Sequence, residues 1–111
     1  MQFVLDNGVY KVARITGPSH NFLGIRLSDD RQEMKVLSLK SDCCKILRIT
    51  EEEVVNQVSL GLARINENVS KQYFISEVQF VASDTYSSDV YELLTMELIY
   101  RIDVGGYFEI V

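Results

Sequence analysis

Ile49-Thr50-Glu51-Glu52-Glu53-Val54-Val55 is where the hydrophobic period of this 111-residue chain changes from two to 3.6. Thr50 stands three residues before Glu53, the spacing of a capping box, and Ile49 and Val54 hold the positions of a hydrophobic staple. Glu51, Glu52 and Glu53 lie in the first turn, where the helix dipole favours negative charge. Val54, Val55, Val58, Leu62 and Ile65 fall within about 100° of arc at helical spacing, which predicts a one-sided amphipathic helix over residues 51–68.

Before this point the chain reads as strands. Asn7-Gly8 favours a two-residue type I′ turn, because both residues tolerate positive φ. Pairing outward from it sets Asp6 opposite Val9, Leu5 opposite Tyr10, Val4 opposite Lys11 and Phe3 opposite Val12, so that Phe3, Leu5, Tyr10 and Val12 share a core face. Residues 17–21, Gly-Pro-Ser-His-Asn, read as a loop. Phe22–Leu27, Met34–Leu39 and Cys43–Ile49 read as further short strands, separated by polar turns.

After the first helix, Tyr73–Ala82 reads as a strand rich in aromatic and β-branched residues. Ser87 or Ser88 caps a second helix that runs to about Asp103, Gly105-Gly106 stops it, and Tyr107–Val111 is a short last strand. The expectation is one α+β domain over residues 1–111. An antiparallel β-meander (residues 2–49) is followed by helix, strand, helix and strand, with both helices on one face of the sheet.

The second helix carries more apolar surface than sheet docking requires. Tyr91, Leu94, Leu98 and Ile102 span about 80°, enough to bury one face. Leu93, Met96 and Tyr100 form a second stripe on another side. Either the first helix or a loop covers that stripe, or it is an interface with a partner or a second copy. Glu97 and Arg101 are spaced as an i,i+4 ion pair between the stripes. The connection preceding this helix, Asp84-Thr85-Tyr86-Ser87-Ser88-Asp89, puts a tyrosine beside acids and is a candidate binding edge. Together these features nominate Asp84, Tyr86, Asp89, Glu92, Leu93, Met96 and Tyr100 as partner-binding residues.

Charge is divided between the halves. Residues 1–50 carry eight Lys/Arg against five Asp/Glu, and residues 51–111 carry three against eleven, for net values of +3 and −8. Such a polar molecule suits a basic protein partner attracted to its acidic side. The overall charge of −5 speaks against duplex nucleic acid and anionic membranes as partners. Residues 1–3 start directly on folded structure, with no secretory signal and no run of 18 apolar residues, so a cytoplasmic location is expected.

Catalytic and metal chemistry find little to work with. His20 is the single histidine and reads as a surface turn residue. Cys43 and Cys44 are adjacent, so on a strand they point to opposite faces, and reduced buried thiols are expected. Glu51, Glu52 and Glu53 diverge by 100° per residue and do not converge on a cation. No phosphate-binding glycine loop precedes a helix. The residues therefore point to no enzyme, no cofactor and no metal.

In size, acidity and α+β layout the chain resembles the small acidic immunity proteins with which bacteria neutralise their own toxins. The resemblance implies an inhibitor that covers a basic toxin by steric and electrostatic complementarity. Two alternatives stand beside it. One is a dimeric acidic chaperone of a secreted effector, with the second helix as its self-interface, although such chains begin with a helix and this one begins with a hairpin. The other is a small ligand-binding domain or enzyme with a pocket between sheet and helices.

Overall fold

The computed structural model describes residues 1–17, 19–39 and 47–111. Its elements are β1 (Gln2–Asp6), β2 (Val9–Thr16), β3 (Ser19–Ser28), β4 (Lys35–Leu39), α1 (Glu51–Asn66), β5 (Phe74–Val81), α2 (Val90–Asp103) and β6 (Glu109–Ile110). Among the described residues the strands form one mixed sheet in the order β4-β5-β3-β2-β1-β6.

The first hairpin has the register that its turn dictates. Phe3 pairs with Val12, Val4 with Lys11, Leu5 with Tyr10 and Asp6 with Val9. Asn7 and Gly8 both take positive φ, at 50° and 80°, as a type I′ turn requires. β2 and β3 then pair from Val9↔Arg26 to Thr16↔Ser19. His20 and Asn21 are therefore strand residues and not part of a loop, because the ladder runs on until only residues 17 and 18 remain between the strands.

The antiparallel meander ends at β3. β4 does not lie beside β3; it pairs parallel with β5, from Lys35↔Glu77 to Leu39↔Val81, and β5 in turn pairs antiparallel with β3. The reason is the helix between β4 and β5. It carries the chain back along the sheet, so the next strand starts from the same end and can lie parallel to its predecessor. The closing β6 likewise joins the far edge parallel to β1. The strand expected over Cys43–Ile49 falls largely outside the described residues, as do both cysteines. Residues 47–49 are not in a strand, and the backbone N–H groups of Arg48 and Ile49 both donate to the Ala82 carbonyl.

α1 starts as its sequence predicts. The Thr50 hydroxyl accepts from the Glu53 backbone N–H at 3.2 Å and donates to the Glu53 carboxylate at 3.0 Å. Ile49 and Val54 are both buried, closing the staple. α2 ends in a Schellman motif. Gly105, at φ +70°, donates to the Ile102 carbonyl, and Gly106 donates to the Arg101 carbonyl at 2.8 Å.

Both helices pack on one face of the sheet around a single core. Val54, Val58 and Ile65 of α1 and Tyr91, Leu94 and Leu98 of α2 meet Val12, Leu23, Ile25, Ile75, Val78 and Phe80 of the strands. Burying each such side chain contributes about 1.5–3 kcal/mol. The Cα radius of gyration, 13.2 Å, is close to the roughly 13 Å of one compact body of this length. No helix among the described residues is long and apolar enough to cross a membrane.

Candidate functional site

α1 and α2 approach closely because Gly61 has no side chain. A Cβ there would stand 2.5 Å from the Glu92 carbonyl oxygen and 3.1 Å from the Thr95 Cβ. Gln57, one turn earlier on the same side of α1, does the capping that Asp89 does not. Its amide oxygen accepts from the Tyr91 backbone N–H at 2.9 Å, and its amide nitrogen donates to the Ser87 carbonyl at 2.9 Å. The cap position is Asp89 and not a serine, but the Ser87 hydroxyl, two residues before it, accepts from the Val90 N–H at 3.2 Å. Near the other end of α2, Asp103 accepts from the Ser70 hydroxyl at 2.6 Å and the Tyr73 hydroxyl at 3.0 Å. These hydrogen bonds with Ser70 and Tyr73 hold the Asp103 carboxyl below its ordinary range.

With one face of α2 on the sheet and another on α1, the Leu93–Met96–Tyr100 stripe is left over. Leu93 is 46% and Tyr100 55% exposed, and Met96 is half-buried against the core. Neither α1 nor any described loop covers Leu93 and Tyr100. Leu60 of α1, 45% exposed, adds apolar surface to the helical layer, and Tyr86 is 60% exposed on the connection before α2. Asp89 and Glu97 are exposed on the same element or at its start. Glu97 is not paired with Arg101, whose guanidinium lies 3.8 Å from the Phe3 ring centroid and donates to the Tyr107 carbonyl at 3.1 Å.

Two nominated residues are structural. Asp84 is only 2% exposed. One carboxylate oxygen accepts from the Phe22 backbone N–H at 2.7 Å and from the Tyr91 hydroxyl at 3.1 Å. The other lies 3.8 Å from His20 Nε2, and His20 is half-exposed. Burial pushes the Asp84 carboxyl above its ordinary value, against the Phe22 N–H, the Tyr91 hydroxyl and His20, all of which favour the charged form. Burial also raises the Tyr91 hydroxyl. Thr85 completes the stitch: its backbone N–H donates to the His20 carbonyl, its hydroxyl accepts from the His20 N–H at 3.1 Å, and its carbonyl accepts from the Asn21 amide at 2.8 Å. Glu92 is also buried, and it is ion-paired to Arg64 of α1.

The sequence missed this cluster because Asp84 and its partners Phe22 and His20 stand more than 60 positions apart. The pairing of β3 with β5, followed by the turn into α2, brings them together. Among the described residues no group of three or more His, Cys, Asp or Glu side chains is arranged to hold a metal ion.

Of the nominated set, then, Tyr86, Asp89, Leu93 and Tyr100 are each exposed on α2 or its approach. Met96 is half-buried against the core, and Asp84 and Glu92 are buried in contacts within the fold. No protein-family model matches the sequence, and neither curated proteins nor solved structures show a match to it.

Proposed function

We propose that the chain is a protein-binding module whose helical layer captures a basic protein partner, with Leu93 and Tyr100 as its apolar anchors. The observation that carries this reading is the uncovered stripe of α2, where a leucine and a tyrosine lie about half open beside Glu97 and Asp89. Aromatic and aliphatic anchors ringed by polar groups are the usual energetic centre of an interface. Charge supports the same choice of partner. Outside the Glu92–Arg64 ion pair, the helices and their caps present Glu51, Glu52, Glu53, Glu67, Asp89, Glu97 and Asp103 against Arg101 alone. Strands β1–β5 carry Lys11, Arg14, Arg26 and Lys35 against Asp6 and Glu77. An acidic face of this kind steers a basic partner and accelerates association in a salt-dependent way. Neutralisation of a basic toxin by covering its active surface is the inhibitory form of this function.

The test is a pull-down from host lysate with the wild-type chain and with Leu93→Glu/Tyr100→Glu, each washed at low and then high salt. A basic protein held by the wild type, released as salt rises and lost by the double variant supports the reading. Equal retention by the double variant overturns it. A wild-type dimer that becomes a folded monomer in the double variant makes the stripe a self-interface instead.

A further inference from the structure

A concave surface lies on the flank of α1 that faces away from α2. Ser59, Leu62, Ala63 and Asn66 follow one another at i, i+3, i+4 and i+7 and so share a face, whereas Gln57 and Gly61 face α2. This flank lines a groove of about 500 Å³, within the size range of small-ligand sites. The floor is apolar. Ile75 is 2% exposed, and Leu62 and Met34 are half-buried against the core, with Ala63 along one wall. Asn66, also at the groove, is spent on the fold, donating to the Tyr73 carbonyl and accepting from the Tyr73 N–H.

The rim is charged at two places. Arg31, on the β3–β4 connection, is exposed and takes part in no hydrogen bond, ion pair or ring contact among the described residues. Glu67 caps the C-terminal end of α1, where the carbonyl ends of the helix add to its negative field. The groove is thus electrostatically directional. An anionic head belongs at the Arg31 side, away from Glu67, with its apolar body over Met34, Leu62 and Ile75. A guanidinium with no partner among the described residues offers a carboxylate a paired set of N–H donors.

We infer that this groove binds a small molecule with an apolar body and one carboxylate, anchored by Arg31. The site is independent of the α2 stripe, and its occupancy requires no protein partner.

Octanoate, octylammonium and octanol are the probes, titrated at matched concentration into the 15N-labelled chain. Octanoate is expected to shift the amide resonances of Arg31, Leu62, Ala63 and Ile75 and to leave those of Leu93 and Tyr100 in place. Arg31→Glu should weaken it about tenfold, the scale of one charge-assisted contact. Ala63→Trp, at an exposed wall position, should fill the groove and abolish binding in a chain whose spectrum remains folded. Glu67→Gln should tighten binding. Octylammonium or octanol binding as well as octanoate would overturn the proposal. So would octanoate affinity unchanged by both Arg31→Glu and Ala63→Trp, or the absence of any groove shift with octanoate.

Discussion

Asp84 shows how a single side chain can change meaning on folding. In sequence it sits in a polar, serine-rich connection, and a carboxylate there reads as exposed. In the fold it is enclosed by the Phe22 N–H, the Tyr91 hydroxyl and His20. Its raised pKa means that the folded chain holds this proton more tightly than the unfolded chain does. The stability associated with Asp84 is therefore greatest below the ordinary carboxylate value of about 4 and falls as pH rises through the raised value. Asp84→Asn keeps an acceptor for the Phe22 and Tyr91 donors and removes the buried charge. Urea unfolding at several pH values should show it at least as stable as wild type at pH 7, with a flatter profile from pH 4 upward. Asp84→Ala leaves both donors without their acceptor, and should lose about 1–3 kcal/mol at pH 7. An Asn variant clearly weaker than wild type at pH 7 would mean that the charge, through His20, stabilises the fold.

Among the elements, α1 is the most legible, because all its signals are local. The capping box, the staple and the apolar stripe lie within seventeen residues; in the structure Thr50 caps the Glu53 N–H, Ile49 and Val54 are buried, and Val54, Val58, Leu62 and Ile65 of the stripe pack into the core. What that local pattern does not contain is why residue 61 is glycine inside a helix. Its reason is the backbone of α2, 2.5 Å from where a Cβ would be. Ala is the better helix former by about 1 kcal/mol, yet Gly61→Ala should destabilise by about 1–3 kcal/mol because α2 must move away. Equilibrium denaturation measures the sign, and a stabilised variant would show that the helices have room to separate.

α2 gives the opposite lesson. Its surplus stripe is visible in sequence, but whether anything covers it is not. In the structure Leu93 and Tyr100 remain about half open. Leu93→Glu/Tyr100→Glu should accordingly change unfolding free energy by no more than about 0.5 kcal/mol per site. A loss of several kcal/mol would place the stripe in the core.

For the whole molecule, sheet order determines which parts are held most firmly. β3 is paired on both sides over residues 23–26, and β5 is flanked by β3 and β4. Among the described residues the two edges are the five-residue β4 and the two-residue β6, which pair on one side only. Amide hydrogen exchange should therefore be slowest in Leu23, Ile25, Val78 and Phe80 and fastest in Glu109 and Ile110. Protection at β6 equal to that of β3 would mean that the β1 edge is closed by more than the parallel pairing seen here. The charge split also takes its form at this scale. The basic half supplies four of the six strands and the acidic half both helices, so a bias along the chain becomes a bias between two layers.

The sequence by itself determined the first hairpin, the start and apolar face of α1, the capped and glycine-terminated α2 and the α+β class. Each of these rests on neighbours within a turn or a helix, where backbone geometry links residue type to conformation directly. Tertiary structure alone decided the parallel placement of β4 and β6, the burial of Asp84 and Glu92, the approach at Gly61 and the openness of Leu93 and Tyr100. Each of those depends on which distant segments are brought side by side. Periodicity reports which face of an element is apolar, and only the assembled sheet and helices decide what that face meets.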